Sequence, residues 1–217
     1  MDMTIRPDDA FIVVDLQYDF LPGGALAVPD GDAVIAPINA LIKRFRRAGA
    51  HLLLTQDWHP QGHKSFASMH EGLEPFEQID MPYGTQTLWP DHCVMGTRGA
   101  EIVRNIDAVQ AELVIRKGYN REIDSYSAFR EADRKTPTGL GGYLRERGFQ
   151  RVFCAGLALD FCVYWTAVDA VEAGFKTIVV SDACRAIDAD GSKDAALEKM
   201  RDAGVGFCDA GDLIGND

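Results

Sequence analysis

Short runs of consecutive apolar residues recur along the chain, at intervals that suit strands separated by helices. Each run is continuous and does not alternate with polar residues, which is typical of strands buried on both faces of a sheet. The five clear runs are residues 10–15, 50–57, 112–117, 151–156 and 177–182, and residues 204–209 form a weaker sixth run.

The segments between these runs repeat their apolar residues with the spacing of a helix. Residues 32–49 are the clearest case, with one apolar face and a terminal glycine. Segments 138–148, 162–174 and 192–204 are built in the same way and also end at glycine. Strands alternating with helices predict an α/β fold, with three αβα layers around a mainly parallel, roughly six-stranded, Rossmann-like sheet.

The chain length and hydrophobic content are those of a protein with a single hydrophobic core. The 217 residues are 47% hydrophobic, so we predict a single domain over residues 1–217. One long irregular region, at about residues 58–98, is rich in proline, glycine and histidine. Loops of that length inside compact domains are often functional.

Charge and cysteine content narrow the function classes. The 33 acidic and 22 basic residues give a formal charge of −11, and no basic run stands out. Nucleic acid and anionic membranes are therefore not expected as partners. No apolar run reaches the roughly 18 residues of a membrane span, and the polar N-terminus lacks a signal-peptide pattern. The five scattered cysteines resemble neither a disulfide framework nor a zinc knuckle, so we predict a cytoplasmic protein.

Chemically useful side chains stand where the predicted strands end. Asp15, Asp57 and Lys117 each close a strand, and Cys162 opens a predicted helix after the fourth run. The carboxyl ends of parallel strands lie on one edge of the sheet, which is where ligands bind. Polar residues commonly end strands and free cysteines are usually buried, so each of these residues alone has an ordinary structural interpretation.

Together, the four groups suit nucleophilic catalysis by a thiol. The pKa of a thiol falls at a helix N-terminus or beside a cation, and we expect Lys117 to lower it here. Asp15 then acts as general base and afterwards as general acid. The backbone N–H of Cys162 is a natural donor to an oxyanion. Asp160 is predicted to cap the helix that carries Cys162.

Histidines concentrate in the irregular region. His59 follows Asp57 by two residues, a spacing that lets an extended segment close on a divalent cation, and His92 supplies a distant further donor. Ligands divided between near and distant segments are usual for zinc sites. His63 and His70 lie in the same region, and a set of solvated loop histidines is the alternative.

Five motifs, in the same order along the chain, carry a family resemblance that runs from about residue 11 to residue 182. The sequences "DLQYDFLPGGAL", "TQDWHPQGHKSF", "LWPDHCVMGTRGAE", "KGYNREIDSYSAF" and "CAGLALDFCV" resemble those of nicotinamidases, within the isochorismatase-like cysteine hydrolases. The "DSYSAF" and "WPDHC" stretches favour the nicotinamidase branch. The resemblance departs at one position, where Leu159 replaces a residue that is often small and polar in the family.

The resemblance implies roles for particular residues. It makes Asp15 the general base and acid, Lys117 its cationic partner and Cys162 the nucleophile. It implies one divalent metal, with zinc expected first and iron or manganese as alternatives. The implied metal ligands are Asp57, His59 and His92, with His63 added in some members. The implied substrate-binding residues are Phe20, Leu26, Trp89 and Tyr126, the N–H groups of Ala158 and Cys162 hold the oxyanion, and the Leu157–Ala158 peptide is cis.

The function that the resemblance implies is hydrolysis of nicotinamide to nicotinate and ammonia through a cysteine thioester. Pyrazinamide is expected as a second substrate because it keeps a ring nitrogen in the same relation to the amide. One alternative is a cysteine amidohydrolase acting on a carbamoyl or ureido compound, and another is a non-catalytic domain that binds a metal or a partner. A homo-oligomer remains open, because no repeat or coiled coil bears on it.

Overall fold

The computed structural model describes residues 3–215. Its strands are β1 Asp9–Val14, β2 His51–Asp57, β3 Gln78–Met81, β4 Gly84–Thr87, β5 Leu113–Lys117, β6 Arg151–Gly156, β7 Lys176–Cys184 and β8 Gly206–Cys208. Its helices are α1 Ile35–Arg47, α2 Leu140–Glu146, α3 Tyr164–Glu172, α4 Ser192–Asp202 and α5 Ala210–Ile214.

Six of the strands form one sheet in the order β5-β2-β1-β6-β7-β8, and every pairing in it is parallel. Helices flank this sheet, so the predicted α/β fold is confirmed, including the weak sixth strand. Strand order places β1 next to both β2 and β6, and β2 next to β5. The four strands that lead to the candidate catalytic residues are therefore consecutive neighbours in the sheet.

The structure differs from the sequence-based prediction in three places. The irregular region contains a two-stranded antiparallel hairpin, β3–β4, whose short polar strands give no apolar signal. Helix α3 begins at Tyr164, because residues Leu159–Val163 form a π-helical turn. Strand β5 was predicted to be buried on both faces, but it is an edge strand, and its Val114 is 42% exposed.

The core packs α1 against the middle of the sheet. Phe45 of α1 stacks on Phe11 of β1, with ring centroids 4.8 Å apart, and meets the edge of Phe153 of β6 at 5.1 Å. All three rings are buried, and burying each one stabilises the fold by about 1.5–3 kcal/mol. This packing holds β1 and β6, which lead into Asp15 and Cys162, in one rigid layer. Within the described part of the chain, every helix is too short or too polar to cross a membrane.

Candidate active site

Four predicted side chains meet at the carboxyl edge of the sheet. Asp15 follows β1, Asp57 ends β2, Lys117 ends β5 and Cys162 lies in the π-helical turn after β6. All four are buried. Lys117 Nζ lies 2.8 Å from Asp15 Oδ2 and donates a hydrogen bond of 3.3 Å to Cys162 Sγ. The structure therefore brings the thiol, the ammonium and the carboxylate into direct contact.

Lys117 makes two further contacts that the sequence did not reveal. Its Nζ lies 2.5 Å from Asp57 Oδ1 and donates to the carbonyl of Ser125 at 3.0 Å. Burial alone would lower the pKa of Lys117, but Asp15 and Asp57 outweigh burial and raise it well above its usual value. The lysine is therefore a permanent cation that joins the thiol region to the neighbouring histidine cluster.

Asp15 is held with one carboxylate oxygen free to accept a proton. The Thr55 hydroxyl donates to Asp15 Oδ1 at 2.5 Å, and the Asp15 N–H donates to the same hydroxyl oxygen at 3.0 Å. Oδ2 is ion-paired with Lys117, but within residues 3–215 it is the one buried side-chain nitrogen or oxygen that takes part in no aligned hydrogen bond. Burial raises the pKa of Asp15, against the opposing charge of Lys117. A carboxylate with a raised pKa is the better general base.

Burial and the surrounding charges act on the Cys162 thiol in opposite directions. Burial raises the pKa of this thiol well above its usual value; Lys117 opposes the shift, and the negative charges of Asp15 and Asp57 add to it. Lys117 lowers the pKa as expected, but burial and the two carboxylates outweigh it. The resting thiol keeps its proton and needs a base beside it, which is the position that Asp15 occupies.

A second cluster lies beyond Lys117. Asp57 Oδ2 is 3.8 Å from His59 Nε2 and 3.9 Å from His92 Nε2. The Nδ1 of His59 hydrogen-bonds to the carbonyl of Gly118 at 2.9 Å, and the Nδ1 of His92 to that of Pro90 at 2.8 Å. Because a carbonyl only accepts, both Nδ1 atoms carry the proton, and both Nε2 lone pairs face the shared space.

This donor set fits a divalent metal ion. Two imidazoles and a carboxylate, all buried and with ligand atoms within 4.8 Å of one another, are the groups that zinc, iron and manganese bind. Burial would lower the pKa of His59, but Asp57 outweighs burial and raises it, so this imidazole gives up a proton when it binds a metal. Burial and the charge of His59 lower the pKa of His92 to about 4, so it stays neutral at pH 7. Burial would raise the pKa of Asp57, but Lys117 and His59 outweigh it and keep the carboxylate ionised. The predicted ligands Asp57, His59 and His92 are thus brought together.

His63 lies against the cluster, and it forms a second possible ligand group with His59 and Asp124, whose ligand atoms lie within 4.8 Å of one another. Its ring centroid is 4.5 Å from that of His59. Its Nε2 donates to the carbonyl of Asn120 at 2.9 Å, and its Nδ1 accepts from the Ser65 hydroxyl at 2.7 Å. Both ring nitrogens are therefore engaged, and in this arrangement His63 has no lone pair for a metal. The fourth histidine of the region, His70, hydrogen-bonds the carbonyl of Lys64 and stays outside the site.

Gly118 permits the close approach of His59. Its φ of 69° is in the left-handed region, and a Cβ at this position would lie 2.4 Å from the His59 ring. Any other residue would therefore displace the imidazole. The "KG" pair at the end of β5 thus has two functions, because Lys117 supplies the cation and Gly118 makes room for a metal ligand.

The Cys162 thiol and the second cluster line one cavity. All four predicted substrate-binding residues line it, and so do both predicted oxyanion residues, Ala158 and Cys162. The Leu157–Ala158 peptide is cis, as the resemblance implies. The four substrate-binding residues are Phe20, Leu26, Trp89 and Tyr126. The cavity therefore presents an apolar, largely aromatic wall to the thiol and the histidines.

Three lining residues escaped the sequence analysis. Phe161 meets Trp89 edge-on, with ring centroids 4.8 Å apart, and extends the aromatic wall. Asp124 and Ile187 arrive on loops after β5 and β7. Phe161 lies beside Cys162 and Asp124 lies in the "DSYSAF" motif, so both were open to inference from their neighbours. Ile187 carries no such signal.

Two buried glutamines hold parts of the site in place. Gln17 donates to the Asp57 carbonyl at 2.8 Å and accepts from the Asp57 N–H at 2.7 Å, so it anchors the end of β2. Gln86, on β4, donates to Tyr126 Oη at 3.1 Å and to Asp124 Oδ2 at 2.9 Å. The same hydroxyl oxygen accepts from the Trp89 indole at 3.0 Å. The hairpin is thereby joined to Tyr126, which in turn holds the indole of Trp89.

Asp160 does not cap the helix of Cys162, contrary to the prediction. Its carboxylate accepts hydrogen bonds from the N–H groups of Ile187 and Asp188 and from the Ser192 hydroxyl, at 3.0, 2.8 and 2.5 Å. A carboxylate this deeply buried takes its hydrogen bonds where donors are available, and here the donors lie on the loop after β7 and at the first residue of α4.

Comparison with known proteins places these residues in a family. The isochorismatase domain model matches residues 9–212. A nicotinamidase of Acinetobacter baylyi is 54% identical over 196 residues, which are 90% of each chain. Among solved structures, a nicotinamidase and pyrazinamidase of Acinetobacter baumanii has a TM-score of 0.92 at 51% identity, over 95% of this chain and 98% of that one. A pyrazinamidase of Pyrococcus horikoshii in complex with zinc has a TM-score of 0.77 at 36% identity, over 94% and 99%. The matched domain spans all the strand ends described above, and this chain belongs to the isochorismatase family.

Proposed function

We propose that this protein is a nicotinamidase, which hydrolyses nicotinamide to nicotinate and ammonia and also accepts pyrazinamide. The observation that carries the proposal is the position of Lys117, which contacts Asp15, Asp57 and Cys162 at once. The Cys162 thiol and the histidine-carboxylate cluster line one cavity, and Lys117 joins both of them to Asp15, the base. The high identity to proteins named nicotinamidases supports this choice of substrate.

In the proposed acylation, the Cys162 proton passes to Asp15 Oδ2, and Sγ attacks the amide carbonyl carbon. Lys117, 3.3 Å from Sγ, offsets the negative charge of the thiolate as it forms. The tetrahedral oxyanion is stabilised by the N–H groups of Ala158 and Cys162. The C–N bond then breaks, and the nitrogen leaves as ammonia with the proton that Asp15 had taken.

In the proposed deacylation, Asp15 removes a proton from water, and the resulting hydroxide attacks the thioester carbonyl. The C–S bond breaks, nicotinate is released, and the thiolate recovers its proton from Asp15. The same carboxylate therefore acts as base and acid in both halves of the reaction. Its Oδ2 is suited to this cycle, because it is ion-paired with Lys117 but takes part in no aligned hydrogen bond.

The cavity wall binds the pyridine ring of nicotinamide. Phe20, Trp89, Tyr126 and Phe161 give a flat aromatic ligand apolar contact on several sides. Asp57, His59 and His92 would hold a divalent metal, for which we propose zinc. Such an ion would accept the lone pair of the ring nitrogen and withdraw electron density from the carboxamide. Backbone carbonyls fix the orientation of both imidazoles.

Ammonia release from nicotinamide tests the proposal. We expect turnover that is lost after treatment with a strong chelator and restored by zinc, iron(II) or manganese, with Cys162→Ala inactive throughout. Benzamide has the same shape without the ring nitrogen and should be a far poorer substrate. Equal rates on nicotinamide and benzamide would contradict recognition of the ring nitrogen. Activity on carbamoyl or ureido compounds, with none on nicotinamide, would favour the alternative amidohydrolase.

A further inference from the structure

The loop that connects β7 to α4 passes over the active-site cavity. It spans residues 185–191, and Ile187 is its one residue that lines the cavity. Asp188, Asp190 and Gly191 have φ values of 56°, 51° and 80°. Asp190 and Gly191 lie next to each other in the left-handed region, which is unlike any regular secondary structure. The backbone of the loop is thus irregular, and its position depends on contacts to the rest of the protein.

Those contacts come from the turn that carries the nucleophile. Asp160, which is 5% exposed, accepts hydrogen bonds from the N–H of Ile187, the N–H of Asp188 and the hydroxyl of Ser192. Next to it, the Leu159 N–H donates to the carbonyl of Arg185 at 2.8 Å. The two ends of the loop and the backbone of Ile187 are therefore fastened to residues two and three positions before Cys162.

We propose that Asp160 is a positioning residue that holds Ile187 as a wall of the substrate pocket, and that Ile187 thereby limits which ring substituents the site accepts. The inference rests on the proposed amide hydrolysis for its substrate class. The same turn carries the nucleophile and, through Asp160, sets the distance between Cys162 and Ile187 on the opposite wall of the pocket. A shift of the loop therefore changes the width of the pocket without changing the contacts among Asp15, Lys117 and Cys162.

Ring-methylated nicotinamides provide the test. For Ile187→Ala, kcat/KM for at least one of the 4-, 5- or 6-methyl isomers should rise about tenfold relative to nicotinamide, which is what one methyl group is worth in a tight pocket. Ser192→Ala removes one of the three donors to Asp160 and should shift the same ratio in the same direction by a smaller factor. Ser192→Thr keeps a hydroxyl and should restore the wild-type ratio.

Ile214 gives a matched control, because it is 37% exposed on α5 and lies outside the cavity. Ile214→Ala should leave the ratio unchanged. The proposal is overturned if no methyl isomer gains in Ile187→Ala, or if Ser192→Ala lowers kcat for every substrate equally. Asp160→Asn is a stronger variant, but Ser192→Ala keeps the test decisive if that variant does not fold.

A second readout does not depend on nicotinamide turnover. Alkylation of Cys162 by N-benzyl iodoacetamide, divided by its alkylation by iodoacetamide, reports the width of the pocket over the thiol. We expect this ratio to rise in Ile187→Ala and Ser192→Ala and to stay at the wild-type value in Ile214→Ala. An unchanged ratio would overturn the role of Ile187. If wild-type protein released no ammonia from nicotinamide, the proposed function would fail while this ratio still decided the inference.

Discussion

The active site is built from two regions that are held in place by different means. Asp57 and Lys117 lie within the hydrogen-bonded ladder of the sheet, where they are direct register partners on β2 and β5. Trp89, Tyr126 and Ile187 lie on irregular segments outside the six-stranded sheet. Asp57 and Lys117 therefore take their position from regular backbone pairing, whereas the pocket wall depends on individual side-chain hydrogen bonds.

This difference teaches where substitutions act. A side chain at a strand end keeps its position when a neighbouring loop changes, because several ladder hydrogen bonds hold its backbone. A pocket residue on a loop depends on one donor or acceptor, such as Gln86 or Asp160, so single changes there alter binding while the chemistry remains. Substitution of Lys117 in the first region should thus reduce kcat, and substitutions in the second region should mainly affect KM and selectivity.

The largest effect is expected from Cys162→Ala. Loss of the nucleophile should reduce ammonia release by at least about 10³-fold while fold and metal content stay intact. Cys162→Ser should be nearly as inactive, because an aspartate is too weak a base for a hydroxyl. Cys154→Ala is the matched control, since Cys154 is a buried cysteine on β6 that faces no part of the cavity. Residual activity of Cys162→Ala within tenfold of wild type would exclude covalent catalysis by this residue.

The second-largest effect is expected from substituting a metal-binding residue of the second cluster. Asp57→Ala and His92→Ala are expected to lose bound metal and to raise the KM for nicotinamide together, because one contact links the two effects. His63→Gln should keep full metal content, since both ring nitrogens of His63 are already engaged by Ser65 and Asn120. Metal analysis of the purified variants, beside steady-state kinetics, measures both quantities. Loss of metal in His63→Gln would return this histidine to the ligand set.

A smaller effect is expected from removing the central cation. Lys117→Met keeps the length of the side chain and deletes the charge that lowers the pKa of Cys162. The apparent pKa of Cys162, followed by iodoacetamide alkylation against pH, should rise by at least one unit, about 1.4 kcal/mol. At a fixed pH below that pKa, alkylation should slow about tenfold. An unchanged or lower pKa would limit Lys117 to a structural ion pair with Asp15 and Asp57.

The smallest effect is expected from a substitution that loosens the pocket wall. Gln86→Met removes the amide that joins Tyr126 to Asp124 and should raise the KM for nicotinamide about fivefold, near 1 kcal/mol, with kcat little changed. Gln110→Met, at an exposed position, is the control and should match wild type. A fall in kcat with constant KM would place Gln86 with the reactive groups and remove the distinction between the two regions.

The sequence predicted the six-stranded sheet well and the irregular segments less well. Continuous apolar runs located all six strands of the sheet, and the strand ends then placed Asp15, Asp57 and Lys117 on one edge. The β3–β4 hairpin was missed because its strands are short and polar. Asp160 was misassigned because an aspartate just before a helix usually caps that helix, and the sequence does not show that this one binds a distant loop instead. Ile187 was missed because only the folded backbone brings the loop after β7 over the cavity.

The place of Lys117 in the sheet bears on how the protein responds to heat. Its strand, β5, is five residues long, stands at the border of the sheet and pairs only with β2 among the described strands. Border strands open locally at a lower free energy than the global unfolding of the domain. The ammonium would leave Asp15 and Cys162 as soon as β5 separated from β2. Catalytic activity should therefore disappear at a lower temperature than the bulk of the helical signal, so thermal inactivation of this protein reports the detachment of one strand.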